Sequence, residues 1–85
     1  MNEIPREDAA DLTLDLLGPG GRGIVTRLEG EPAVARRIME LGLVPGTAVQ
    51  LVRAAPLGDP LAFTVRGVQL SLRRSEARLV HVAPR

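Results

Sequence analysis

The chain has 85 residues, of which 45% are hydrophobic, with 11 arginines, no lysine, 10 carboxylates, no cysteine and one aromatic residue. This length predicts one domain, and the lack of cysteine excludes disulfides, thiolate metal sites and a cysteine nucleophile. The longest uncharged run, residues 41–52, is well short of the roughly 18 residues that indicate a membrane span. The acidic start argues against a signal peptide, so we expect a cytoplasmic protein that is not inserted in a membrane.

Charged residues are distributed unevenly along the chain. Residues 1–15 carry five carboxylates and one arginine, whereas residues 16–85 carry ten arginines and five carboxylates, for net charges of −4 and +5. Residues 1–11 show no hydrophobic period, and we predict that they form a flexible acidic extension. Residues 12–85 are predicted to form the folded domain.

The first half predicts two extended segments and one helix. Apolar residues alternate over 12–16, a turn cluster occupies 18–21, and β-branched residues at 24–28 favour a strand. Pro32 suits the first position of a helix over about 32–41, and Gly42 suits its left-handed end. The i, i+4, i+7 spacing of Val34, Ile38 and Leu41 predicts a single apolar stripe facing the core.

The second half is predicted to be mainly β. Alternating apolar residues indicate strands at about 49–53, 61–65 and 68–72, and a short strand at 79–82 follows a helical turn near 75–78. Arg66-Gly67 separates two of these strands by two residues, which predicts a tight hairpin with Val65 and Val68 on one face. About five short strands with one helix favour a small, highly curved barrel.

No residue pattern indicates catalysis, a cofactor or a metal. Residues 18–23 match G-x-G-x-x-G, but the loop leads into a strand rather than a helix, so it predicts a turn. His81 lacks neighbouring ligands and is predicted to be exposed on the last strand. With a single imidazole, the serines have no evident activating base. We therefore predict a non-enzyme with no cofactor and no tight metal site.

Three segments resemble the ferrous iron transport protein A (FeoA) family. The first is RRIMELGLVPGT at residues 36–47, which resembles the helix-to-strand signature of that family. The second is APLGDP at 55–60, and the third is the pair VRG at 65–67 and LSLR at 70–73. Their order and spacing are specific, and the resemblance runs from about Leu12 to Val82.

The resemblance implies an SH3-like barrel with an inserted helix, in agreement with the strand count. It also implies a non-enzymatic cytoplasmic accessory of bacterial ferrous iron uptake. Its expected partner is the FeoB-type membrane transporter, which carries a GTPase domain. The leading hypothesis is therefore a protein-interaction module for ferrous iron transport.

The candidates for partner contact are apolar residues whose positions in the sequence do not predict burial in the core. Met39 flanks the predicted stripe of the helix, and Leu57 lies at a loop tip between Pro56 and Gly58. Leu43, in contrast, is expected to fold back onto Ile38 beyond the helix end. We predict partner contact at Met39, Leu57, Gly58 and Asp59, and a structural role for Gly42, Leu43, Pro45, Gly46 and Gly67.

The alternative function is a small nucleic-acid-binding barrel that uses the late arginines Arg66, Arg73, Arg74 and Arg78. Small barrels often bind nucleic acid through basic residues and stacked aromatics. Phe63, the only aromatic residue, is phased toward the core, so no stacking platform is predicted. This pattern favours a protein partner over nucleic acid.

Overall fold

The computed structural model describes residues 12–85, and the extension predicted for 1–11 lies outside them. Its elements follow in chain order: β1 (Leu12–Thr13), a 3₁₀ turn (Leu14–Leu16), β2 (Arg22–Leu28), α1 (Pro32–Glu40), β3 (Ala48–Ala54), β4 (Leu61–Val65), β5 (Val68–Leu72), α2 (Arg74–Ala77) and β6 (Val80–Pro84).

The six strands form one antiparallel sheet in the order β1-β6-β2-β3-β4-β5. The register shifts within the β2–β6 and β3–β4 pairs, between Val25 and Arg27 and between Leu51 and Arg53. Such irregularities bend and twist strands, which curves a sheet strongly. The mainly β, SH3-like fold predicted from the sequence is confirmed.

The first segment differs from the prediction of one alternating strand. Only Leu12 and Thr13 pair with β6, and the chain then turns through three residues. Thr13 donates a hydrogen bond of 2.6 Å from Oγ1 to Oδ1 of Asp15, a local contact that competes with strand pairing. As a result Leu14 is buried in the core while Leu16 is exposed.

The core is formed mainly by the inner faces of the sheet strands and includes Ile38 of α1. Its largest fully buried side chains are Phe63, Leu14, Ile38, Leu43, Leu61, Val25, Val80 and Val82. The predicted inward phase of Phe63 is confirmed. Burial of these side chains supplies the main stabilising free energy, about 1.5–3 kcal/mol for each large residue.

Helix α1 begins at Pro32 as predicted and ends at Glu40, one residue before the predicted end at about residue 41. Leu41 is the C-terminal capping residue and is 47% exposed, so its assignment to the buried stripe was wrong. Gly42 follows with φ of 109°, and its N–H donates to the carbonyl of Met39 at 2.9 Å. That left-handed turn directs Leu43 back into the core, where it is completely buried.

The β4–β5 hairpin has the predicted two-residue turn. Arg66 and Gly67 both have positive φ, 53° and 79°, as a type I′ turn requires. Val65 pairs with Val68, but only Val65 is buried. The prediction that both valines would reach the core was wrong for Val68, which is 63% exposed beside the turn.

No helix within residues 12–85 is both long enough and apolar enough to cross a membrane.

Candidate interaction surface

The β3–β4 loop holds Leu57 away from the rest of the fold. The loop closes on itself through two backbone hydrogen bonds, from Ala55 to the carbonyl of Pro60 and from Gly58 to the carbonyl of Ala55. Leu57 lies at the tip and is 97% exposed. The exposure predicted from the flanking proline and glycine is therefore confirmed.

Arg74 at the start of α2 anchors this loop. Its Nε donates to the carbonyl oxygen of Gly58 at 3.0 Å, and its backbone N–H donates to Oδ1 of Asp59 at 3.0 Å. The Nη1 atom reaches the carbonyl oxygen of Asp15 at 3.5 Å. One side chain thus joins the loop to the 3₁₀ turn, and polar groups of Gly58 and Asp59 are engaged within the chain.

A second exposed leucine adjoins the other residue that the Arg74 side chain contacts. Leu16 follows Asp15 and is 66% exposed, and Leu57 precedes Gly58, so each exposed leucine is next in sequence to a residue whose carbonyl oxygen Arg74 contacts. We call Leu16, Leu57 and Arg74 the leucine surface. The sequence reasoning missed Leu16 because it was assigned to a strand. The Thr13-x-Asp15 pattern, typical of a turn, was the available signal.

Met39 lies on α1, a different element from the loop that carries Leu57. It is half-buried on α1. The helix connects to α2 through Arg37, whose Nη2 lies 2.6 Å from Oε2 of Glu76. Glu76 Oε1 in turn accepts the backbone N–H of Arg73 at 2.9 Å. The described contacts therefore link α1 to α2 through Arg37 and α2 to the β3–β4 loop through Arg74.

The residues predicted to be structural follow α1 and shape the β4–β5 turn. Gly42 and Gly67 have the left-handed backbone described above, and Leu43 is buried. Gly46 donates its N–H to the carbonyl of Val25 at 2.7 Å, which joins the loop after α1 to β2. Pro45 is exposed immediately before it.

The late arginines lie in two places: Arg66 is in the β4–β5 turn, and the other three are in or beside α2. Arg74 is committed to the loop and the 3₁₀ turn. Arg78 lies 3.8 Å from Asp15, measured from Nε to Oδ2. Arg66 sits in the β4–β5 turn, at the opposite end of β5 from Arg73. Two of the four therefore already contact acceptors within the chain.

His81 is not exposed as predicted. Its side chain is 14% exposed, and Nε2 lies 3.0 Å from Oε2 of Glu29. A hydrogen bond of 3.0 Å from Arg27, together with the charge of His81, lowers the pKa of Glu29 below its ordinary value. Within residues 12–85, no group of three or more His, Asp or Glu side chains is arranged to hold a metal ion.

A small antiparallel sheet curved around a single core, with helix α1 packed on it, defines this chain as an SH3-like barrel. The FeoA domain family matches residues 12–84, and the chain belongs to that family.

Solved structures agree with this assignment. The FeoA protein of Chlorobium tepidum is 44% identical, with a TM-score of 0.80 over 86% of this chain and 70% of that one. Stenotrophomonas maltophilia FeoA, solved with zinc and described as an SH3 domain protein, is 36% identical. Its TM-score is 0.73 over 84% of this chain and 88% of that one.

A curated relative contains a similar segment within a much longer protein. It is the Fe(2+) transport protein A/Fe(2+) transporter FeoB fusion protein of Porphyromonas gingivalis, 34% identical over 71 residues. The match covers 84% of this chain but only 8% of that protein. This chain therefore corresponds to a small part of the fusion.

Proposed function

We propose that this chain is a non-enzymatic, cytoplasmic accessory of ferrous iron transport that acts by binding a FeoB-type membrane transporter. The observation that carries the proposal is the Porphyromonas gingivalis fusion, in which a segment similar to this chain is part of one polypeptide with the transporter. Fusion holds two modules at a high effective concentration, which is useful when the separate modules bind each other.

The leucine surface is the proposed contact. Exposed apolar side chains on a protein surface mark interaction sites when they lie together rather than singly. Leu16 and Leu57 are both exposed, and each adjoins a residue whose carbonyl oxygen is contacted by the same arginine, Arg74. Because the loop is already anchored, binding would order little additional backbone, which lowers the entropic cost of association.

Gly58 and Asp59 contribute to this surface by holding Leu57 in place. Arg74 contacts the Gly58 carbonyl oxygen and Oδ1 of Asp59, and Asp59 is otherwise exposed. Met39 on α1 is proposed as a second, flanking contact. We therefore predict that Leu57, as the central contact, contributes more binding free energy than Met39.

The experiment is capture of a detergent-solubilised FeoB-type transporter from the source organism by the immobilised chain. We expect Leu57→Glu to weaken capture about tenfold or more, because it places an unpaired charge in an apolar contact, worth at least about 1.4 kcal/mol. Met39→Glu is expected to have a smaller effect. The matched control is Val68→Glu, which makes the same kind of change at another exposed apolar position.

Retention of wild-type capture by Leu57→Glu would remove the leucine surface from the proposal. An equal loss in Val68→Glu would show a nonspecific effect of added charge. Failure of the unmodified chain to capture the transporter under any condition would contradict the proposed function itself.

Nucleic-acid binding stays an alternative that the arginine arrangement does not favour. If nucleic acid were the partner, affinity would fall steeply with salt and the double variant Arg73→Ala with Arg74→Ala would flatten that slope. We expect no mobility shift of mixed RNA or DNA at physiological salt. A clear shift, lost in the double variant, would favour the alternative.

A further inference from the structure

Three arginines line an open depression on the outer face of the sheet. Arg22, Arg66 and Arg85 line it together with Gln50 and Thr64. Its volume is about 210 Å³, below the roughly 300–1,000 Å³ of pockets that enclose small molecules. The depression therefore has room for a charged side-chain group rather than for a whole small-molecule ligand. We call these five residues the arginine depression, and none of them belongs to the leucine surface.

Strand pairing explains why these side chains meet. Arg22 is opposite Gln50 across the β2–β3 pair, and Gln50 is opposite Thr64 across the β3–β4 pair. The residues on either side of Gln50 and of Thr64 are buried, so these two side chains lie on the face of the sheet away from the core. The backbone N–H of Arg85 donates to the carbonyl oxygen of Arg22 at 2.9 Å, which places Arg85 beside the same row.

The depression carries positive charge that no Asp or Glu side chain lining it offsets. All three of its arginines are exposed. A main-chain carboxylate on Arg85 would offset one of the three guanidinium groups and leave a net charge of +2. The ion pairs described within residues 12–85 use other cationic side chains, namely Arg27, Arg37, Arg78 and His81. The arginine depression is therefore an exposed cationic site.

The confined extent of this charge favours carboxylates over a nucleic-acid strand. A single strand is bound by cationic groups that follow its backbone and by aromatic side chains that stack on its bases. Arg74 and Arg78 contact acceptors within the chain, and Phe63 is buried. A few guanidinium groups at one place bind carboxylates in bidentate geometry instead, and the hydroxyl of Thr64 can add a hydrogen-bond donor.

A second copy of this chain is a poor occupant for the same electrostatic reason. Residues 12–85 carry ten arginines and six carboxylates, so a second copy brings further net positive charge to a cationic site. Like charges placed against each other disfavour association, whereas opposite charges steer two proteins together. The complementary partner is therefore a protein with a net negative contact segment.

We propose that the arginine depression binds an acidic segment of a partner protein, whose Asp or Glu carboxylates pair with Arg22, Arg66 and Arg85. The barrel then has two chemically distinct contacts, one apolar at the leucine surface and one electrostatic at the depression. Because the two share no residue, failure of this proposal leaves the proposed function intact.

The test uses the full chain with an end-blocked hexaglutamate peptide as the probe and hexaglutamine as the uncharged control. In NMR spectra of the arginine Nε–Hε groups, hexaglutamate should shift Arg22, Arg66 and Arg85 in a saturable way, and hexaglutamine should not. The affinity should fall as NaCl is raised to about 0.5 M, where the Debye length is about 4 Å.

Matched arginine variants locate the site. Arg22→Gln with Arg66→Gln should weaken hexaglutamate binding about tenfold or more, because it removes two guanidinium groups that form charge-assisted hydrogen bonds. Arg36→Gln with Arg53→Gln removes the same charge at exposed positions outside the depression and should preserve binding.

Four results would overturn the proposal. Equal weakening in the two double variants would indicate general charge attraction, and inorganic phosphate binding as tightly as hexaglutamate would indicate a site for free anions. Tighter binding of single-stranded DNA than of hexaglutamate would assign the depression to nucleic acid. Cosedimentation with phosphatidylglycerol vesicles, without any hexaglutamate binding, would assign it to a lipid surface.

Discussion

Two loops of this barrel each carry a leucine, and the fold treats them in opposite ways. Leu43 follows α1 and is completely buried, whereas Leu57 at the β3–β4 tip is 97% exposed. The first loop turns inward through the left-handed Gly42, and the second closes on itself and is held from outside by Arg74. An apolar loop residue therefore indicates a partner only when the backbone contacts around it prevent it from reaching the core.

The largest expected effect is at the buried member of this pair. Leu43→Ala should lower the free energy of unfolding by about 2–4 kcal/mol, because it leaves a cavity in the core. Leu57→Ala is the control and should change that free energy by less than about 0.5 kcal/mol. Chemical denaturation of both variants measures the difference, and similar values would contradict the contrast between the loops.

Removal of the loop anchor should have the next largest effect. Arg74→Met keeps the aliphatic stem but removes the guanidinium donors to Gly58 and Asp15. We expect a loss of about 1–2 kcal/mol in stability and faster amide hydrogen exchange at residues 55–60. Arg36→Met, at an exposed position of α1, should leave both unchanged. Unaltered exchange in Arg74→Met would show that the loop needs no anchor.

The loop after α1 also contains a buried hydroxyl group whose replacement should stabilise the fold. Thr47 is 4% exposed, and its Oγ1 has no hydrogen-bond partner within residues 12–85. Thr47→Val replaces that hydroxyl with a methyl group of similar size and should raise the unfolding free energy by about 1 kcal/mol. Thermal denaturation measures this change. A decrease in melting temperature would indicate that the hydroxyl is satisfied in solution.

The smallest effect is expected at Glu29, away from both loops. Because its folded-state pKa lies below the ordinary value of 4.5, its ionised form stabilises the fold above that pH. The stability difference between wild type and Glu29→Gln should therefore be present above pH 4.5 and shrink as the pH falls through the folded-state pKa. Denaturation across this range measures it, and a difference that grows on acidification would contradict the assignment.

The features that the sequence determined by itself depend on residues that are close together in the chain. Alternation defined the central strands, Pro32 and Gly42 marked α1 and its end, and the two-residue spacing of Arg66-Gly67 defined the hairpin. The burial of Leu43 and the exposure of Leu57 also followed, because each depends on turn residues directly beside it. The family resemblance rested on the same local segments.

Only the tertiary structure decided which distant segments are in contact. Asp15 and Gly58, the neighbours of Leu16 and Leu57, are both contacted by Arg74, which lies 59 positions after Asp15. Val68 and His81 were assigned correctly to strands but with the wrong exposure, since burial depends on where the sheet ends and what packs beside it. A periodic pattern specifies the face of a strand, whereas contacts between distant segments determine what covers that face.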